Sequence, residues 1–185
     1  MIIAKSDIDS KIINKIKKGA IFIYPTDTIY GIGCIATNHK SVEKIRSIKV
    51  RDEKPFSIIA PSKTWIRETC YVKHFEDWIK KLPGKYTLIL EIKNKKSFSE
   101  AVNKNLDTAG IRIPNHWIKN LVRKIGKPLI TTSVNLSGEK HIMSIDQIPK
   151  SISEKVDFII DEGILNGKPS TIVLKDNEKI KLIKR

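Results

Sequence analysis

Apolar positions along the chain follow two different periods. At Ile8, Ile12, Ile13 and Ile16 they recur every three to four residues, as on one face of a helix. Ser6 and Asp7 are placed to cap that helix and Gly19 to close it. The unbroken run AIFIY (20–24) predicts a buried strand stopped by Pro25. DTIYGIGCIA follows, with glycines at 31 and 33, and Ser41 is the expected cap of a second helix that turns Val42, Ile45 and Ile48 inward. FSIIA (56–60) predicts a strand, and helical segments are expected around Trp65–Cys70 and Phe75–Leu82, ending at Pro83-Gly84. Beyond them come a strand YTLILEI (86–92), a polar connection (93–105) and a short strand AGIRIP (109–114). Trp117, Ile118, Leu121, Val122 and Ile125 predict a helix closed by Gly126, followed by a strand PLITTSV (128–134). A short helix near 144–148 and a strand DFIID (157–161) precede TIVLK and KIKLIK, two strands joined by a turn at Asp176-Asn177-Glu178. Helices and strands alternate early and strands cluster late. That order predicts an α/β fold: one domain over residues 1–185, with an open, twisted, mixed parallel and antiparallel sheet flanked by helices.

Composition narrows the setting. A chain of 185 residues buries roughly 70% of its unfolded surface and needs no staples. Cys34 and Cys70 make no C-x-x-C pair, and His39, His74, His116 and His141 are scattered, so neither a zinc site nor a disulfide framework is expected. No apolar run approaches the roughly 18 residues of a membrane span. The N-terminus carries charge early, unlike a signal peptide. A cytoplasmic protein with no membrane partner is expected. The net charge of +15 suits polyanions. Lysine is the default cation, with six arginines among 35 cations. Each arginine therefore invites a reason, and two-point recognition of carboxylate or phosphate is the usual one.

Four polar clusters sit where predicted strands or helices end. In YPTDTIYGIG (24–33), Thr26, Asp27 and Thr28 follow a strand and can bind a small polar ligand or simply form a turn. In TTSVNLSG (131–138), Ser133 and Asn135 share a face of extended chain, suited to phosphate oxygens, a sugar or an Asx turn. Arg112 stands inside the apolar strand GIRIP, where it either faces solvent or, if buried, needs an anion such as an α-carboxylate or a phosphate. KVRDEKP (49–55) is either a solvated helix end or a set of cations over a phosphate chain. GIGCIA (31–36) fits a dinucleotide fingerprint loosely. Glycines for close backbone packing are the better reading, because the next helix starts late. Neither a P-loop nor a G-x-S-x-G elbow occurs.

Taken in order, PTDTIYGIG, KVRDEKP, LPGKYT, RIP, SVNLSG and STIV resemble the motifs of the YrdC/TsaC family, the threonylcarbamoyl-AMP synthases, from about Gly19 onward. The resemblance implies a concave basic pocket and a reaction among L-threonine, bicarbonate or CO2, and ATP. The product is threonylcarbamoyl-adenylate, with release of pyrophosphate. Separate transferase proteins would pass the group to adenosine-37 of tRNAs reading ANN codons. By the same resemblance Lys49 and Arg51 are catalytic and, with Lys54, line the phosphates. Thr108, Ser133, Asn135 and Lys184 contact ATP; Thr28, Arg112, Thr131 and Ser170 hold threonine. Mg²⁺ is expected on the phosphates, with few or no protein ligands. Departures from the family pattern are Leu82, Lys85, Val134, Pro169 and Ile59, the last where longer members place a histidine. The near-terminal basic position is read as Lys184, with Arg185 as its rival, and the chain as the short form without a C-terminal domain.

The competing expectation is a basic protein of the same fold that binds double-stranded RNA or tRNA without synthesis. No RRM or KH signature supports it. The charged stretch carries the first prediction. Arg51→Ala should lower ATP turnover at least tenfold, about 1.4 kcal/mol of transition-state stabilisation; an unchanged steady-state rate removes Arg51 from the phosphates.

Overall fold

The computed structural model describes residues 1–50, 54–104, 106–135, 139–177 and 179–184. The stripe of Ile12, Ile13 and Ile16 forms helix α1 (Ser10–Lys17), which starts later than Ser6 and Asp7 predict. Asp9 is the cap, its carboxylate accepting from the Ile12 amide at 2.8 Å. Asp7 closes a 3-10 turn instead, taking the Ala4 amide at 2.8 Å. Helix α2 (His39–Lys49) is likewise capped by Asn38 rather than Ser41, with the Asn38 side chain accepting from the Ser41 amide at 3.1 Å. The Ser41 hydroxyl reaches across to the Gly19 carbonyl at 2.6 Å, fastening α2 to the end of α1. In both helices a nearer Asx side chain takes the cap.

The strands are β1 (Ile2–Ala4), β2 (Phe22–Tyr24), β3 (Gly31–Gly33), β4 (Ser57–Ile59), β5 (Tyr86–Glu91), β6 (Thr108–Arg112), β7 (Leu129–Ser133), β8 (Phe158–Asp161), β9 (Thr171–Asp176) and β10 (Lys179–Ile183). They form one open sheet in the order β1-β8-β2-β3-β7-β4-β6-β5-β9-β10. β8 runs parallel to both β1 and β2, as do β4 with β6 and β5 with β9; the remaining pairs are antiparallel. This is the mixed sheet that the pattern predicts. α1 and α5 (Ile118–Ile125) cover one face around Phe22, Tyr24 and Phe158, the two phenylalanine rings stacking at 5.0 Å. α2 covers the other with the short helices α3 (Lys63–Thr69), α4 (Glu76–Lys80) and α6 (Lys150–Ser153), around Ile23, Ile32, Ile58 and Ile111. Successive residues of β2 thus point to opposite cores, as strand geometry requires.

GIG is strand β3, wedged between β2 and β7, and not a nucleotide-binding turn. A Cβ at Gly33 would lie 2.1 Å from the Ile130 carbonyl oxygen, so the residue serves close backbone packing. The polar connection 93–105 contains two 3-10 turns, Lys95–Ser97 and Glu100–Val102. Arg46 holds the second one. Its Nε donates to the Ala101 carbonyl at 2.6 Å and Nη2 to Val102 at 3.1 Å, while the guanidinium lies 4.6 Å from the Phe56 ring centroid. The LPGK turn closes onto β6 through the Gly84 amide, which donates to the Ile113 carbonyl at 2.9 Å.

Both cysteines are free and buried. Burial raises the Cys70 thiol from its ordinary 9.0 to about 12, and raises Cys34 as well. A proton held more tightly in the folded chain stabilises the fold in full below the ordinary thiol pKa. That contribution is lost as pH rises from about 9 toward 12. The native protein is therefore expected to show no thiolate absorbance at about pH 10, whereas the urea-unfolded chain at the same pH shows both thiolates; a native thiolate signal there would contradict the burial.

Candidate functional site

A cleft of about 240 Å³ opens where β2, β6 and β7 end and β3, β4 and β9 begin. Its amino-terminal wall is the turn after Pro25. The Thr26 oxygen accepts from the Thr28 and Ile29 amides at 3.1 and 3.2 Å, and its proton goes to the Ile29 carbonyl at 2.8 Å. A 2.8 Å bond joins the Thr26 and Thr28 hydroxyls. Thr28 is 1% exposed.

Arg112, at the end of β6, lines the same cleft and is buried. It meets an anion within the protein, Asp27, whose Oδ1 accepts from Nη2 at 2.6 Å. This settles the choice that the sequence leaves open in favour of a buried charge with a partner inside the protein. Arg112 Nη1 lies 3.4 Å from the Thr28 hydroxyl oxygen. Desolvation pulls the guanidinium pKa below its ordinary value, and the Asp27 charge pushes back.

The opposite wall is the end of β7. Thr131, Ser133 and Asn135 line it, and the Asn135 side-chain amide donates to the Glu139 carbonyl at 2.7 Å. Lys49, at the end of α2, is 2% exposed. Its ammonium donates to the Ser133 carbonyl at 2.6 Å and to the Asn135 carbonyl. Ser170, just before β9, shares a 2.7 Å hydrogen bond with Thr87 of β5, and both line the cleft. The segment between β8 and β9 passes over the Thr28 turn. A Cβ at Gly167 would lie 1.8 Å from the Thr28 carbonyl oxygen. Tyr30 anchors the start of that segment, accepting from the Glu162 amide at 3.0 Å and donating to the Gly163 carbonyl at 2.8 Å. Burial raises the Tyr30 hydroxyl to about 12, so it keeps its proton at neutral pH. The Glu162 carboxylate accepts from Trp117 Nε1 at 2.9 Å and pairs with His116 Nε2 at 2.7 Å.

Of the residues named from sequence, Thr28, Arg112, Thr131, Ser133, Asn135 and Ser170 are brought to this cleft. Lys49 stands behind its β7 wall. Lys54 is exposed, next to Pro55, which lines the cleft; the Lys54 carbonyl accepts from Arg46 Nη1 at 3.1 Å. Thr108 is exposed at the far end of β6 from Arg112, and Lys184 is exposed beyond β10; neither lines the cleft. Arg51, Asp52, Glu53 and Arg185 lie outside the described residues. Thr87, Ser57, Glu139 and His141 line the cleft without having been singled out. For Thr87 the signal is present, as the threonine of LPGKYT; Glu139 and His141 stand in a stretch of sequence with no periodic pattern. Among the described residues, no three His, Cys, Asp or Glu side chains gather as a metal site, and no helix is long and apolar enough to cross a membrane.

The family model for Sua5/YciO/YrdC, described as "Telomere recombination", matches residues 14–185. The chain belongs to this family. A Methanocaldococcus jannaschii protein named "Putative threonylcarbamoyl-AMP synthase" is 41% identical over 171 residues, covering 90% of this chain and 79% of that protein. The threonylcarbamoyl-AMP synthase of Pseudoalteromonas translucida is 30% identical over 177 residues, covering 88% of this chain and 90% of the relative. The crystal structure of P. abyssi Sua5 complexed with L-threonine superposes with a TM-score of 0.83 at 25% identity, covering 93% of this chain. The chain spans about half of that protein, 52% of its length. In this Sua5/YciO/YrdC chain the cleft is built from strand ends plus one overlying segment, which makes Gly167 a sensitive position. Gly167→Ala should lift the segment off Thr28, lower the melting temperature and cut activity at least tenfold; a variant with wild-type melting and turnover would show that the close approach is not needed.

Proposed function

We propose that the chain is a nucleotidyltransferase that makes L-threonylcarbamoyladenylate from L-threonine, bicarbonate or CO2, and ATP, with release of pyrophosphate. The observation that carries this reading is the meeting of Thr28, Arg112, Thr131, Ser133, Asn135 and Ser170 on one cleft, in a chain whose relatives bear that enzyme's name. The threonine amine combines with CO2 to give a carbamate. A carbamate oxygen then forms a bond to the α-phosphorus of ATP as the bond to pyrophosphate breaks. Such a transfer asks the protein for positioning and for neutralisation of growing charge more than for covalent chemistry.

The roles divide by position. Arg112, with Thr28, receives the threonine carboxylate by a charge-assisted contact. Thr131 and Ser170 offer hydroxyls to the rest of the amino acid. Ser133 and Asn135 contact the nucleotide, and Lys49, with its charge beside their carbonyls, serves the phosphate side with Arg51 and Lys54. Glu139 is the carboxylate of the described cleft wall and Asp27 is tied to Arg112. The wall therefore offers fewer oxygen ligands than Mg²⁺ requires alone, and the ion would enter on the ATP phosphates. The product would pass to transferase proteins that modify adenosine-37 of tRNAs reading ANN codons, in the cytoplasm. An RNA-binding role without synthesis accounts for the +15 charge but gives no reason for hydroxyl, amide and guanidinium groups to converge in a cleft.

The test is pyrophosphate release from ATP in the presence of Mg²⁺, threonine and bicarbonate. Release should require both threonine and bicarbonate, and loss of the threonine requirement removes the synthase reading. In the same assay Arg112→Ala should raise the threonine KM by more than it raises the ATP KM; equal changes would count against the carboxylate contact.

A further inference from the structure

Asp27 sits between two residues that line the cleft, Thr26 and Thr28, yet it does not line the cleft itself. Its side chain is 5% exposed. Both carboxylate oxygens are used inside the protein. Oδ1 accepts from Arg112 Nη2 at 2.6 Å and Oδ2 from the Asn115 amide at 2.8 Å. One side chain therefore fastens the β2–β3 turn to the guanidinium and to the backbone just beyond β6.

The grip on Arg112 is one-sided. Nη1 is at 3.4 Å from Thr28, the long limit of a hydrogen bond, and Nε is buried with no acceptor among the described residues. A planar guanidinium held firmly through one nitrogen has its plane and reach set from that end. Its other donors stay in reserve, and a buried donor without an acceptor is unfavourable until one arrives. The pairing also fixes the charge of the site. Arg112 and Asp27 sum to zero, so an incoming carboxylate meets an oriented dipole and not a bare buried cation.

We propose that Asp27 is a positioning residue for substrate: from behind the cleft wall it aims Arg112 at the amino-acid carboxylate and sets how strongly that carboxylate is held. This rests on the reading of Arg112 as the carboxylate-binding group of a synthase. Asp27 does not touch substrate and moves no proton; both its oxygens remain on Arg112 and Asn115 throughout.

Two variants test it in the pyrophosphate-release assay, with thermal melting recorded alongside. Asp27→Glu keeps the charge but pushes the guanidinium forward by one methylene. Its threonine KM should rise at least tenfold while the ATP KM stays within twofold. Were Asp27 only a structural counter-ion, Asp27→Glu would melt earlier with both KM values unchanged; that result, or an equal rise in both, overturns the proposal. Asp27→Asn combined with Arg112→Ala removes both buried charges, so neither is left unpaired. Because Asp27 acts through Arg112, the double variant should show the threonine KM of Arg112→Ala alone; a further rise overturns the proposal even if Asp27→Glu does not fold. A wild-type protein with no threonine-dependent release would overturn the synthase reading and this inference together. An active wild type with Asp27 variants of unchanged threonine KM would overturn this inference alone.

Discussion

A cation withdrawn from water loses hydration that only oxygen partners can replace, and among the described residues three cations are so withdrawn. Arg46 and Lys49 are each 2% exposed and Arg112 is 6% exposed. Each recruits oxygens from a distant part of the chain. Arg46 draws in the carbonyls of Ala101, Val102 and Lys54; Lys49 takes those of Ser133 and Asn135; Arg112 takes the carboxylate of Asp27. Strand pairing accounts for the sheet, and these charges tie Ala101–Val102, the end of β7 and Asp27 to distant elements.

The cleft is assembled from those segments. α2 delivers Arg46 and Lys49 one turn apart, so a single helix holds both Lys54, beside Pro55, and the end of β7. On the other side, the Thr26–Thr28 turn is locked by its own hydroxyls, covered by the Gly167 backbone and tied to β6 through Asp27. The two walls are thus held by different charges. In the proposed reaction one wall faces the amino acid and the other the nucleotide, so each can be tuned without remodelling the other.

How much of this was readable beforehand follows from what a sequence records. The isoleucine stripe of α1, the apolar runs of β5 and β7 and the polar clusters at strand ends are periodic or compositional, and they were legible. α6 has four residues, too short to express a helical period, and β3 reads GIG, with one side chain to carry an apolar signal; these and β1 were missed. The cleft residues Thr28, Ser133, Asn135 and Ser170 were found because they cluster at strand ends or within motifs. Arg46 was not, because its partners are backbone carbonyls, and every residue has one. Nothing in SVEKIRSIK separates a buried arginine from a solvated one. Asp27 was seen as a ligand candidate, but its engagement with Arg112 depends on residues 85 apart meeting at the register that β4 and β6 impose. Thr108 and Lys184 were placed by motif order alone. Motif order does not say which end of a strand a residue occupies, and both stand away from the cleft.

The hydroxyls of the wall bear on what the site must not do. The proposed product is a mixed anhydride of a carbamate and a phosphate, an acylating agent that a nearby nucleophile would attack. A serine or threonine becomes such a nucleophile when an adjacent base takes its proton. The Thr26 and Thr28 hydroxyls bond each other, and Thr26 donates to the Ile29 carbonyl, which is no base at neutral pH. The carboxylate closest in sequence, Asp27, is turned the other way, with both oxygens committed to Arg112 and Asn115. The ion pair that orients the arginine therefore also keeps a general base away from the threonine hydroxyls. The Thr26–Thr28 turn can thus border an activated carbamate without Asp27 turning either threonine into a nucleophile.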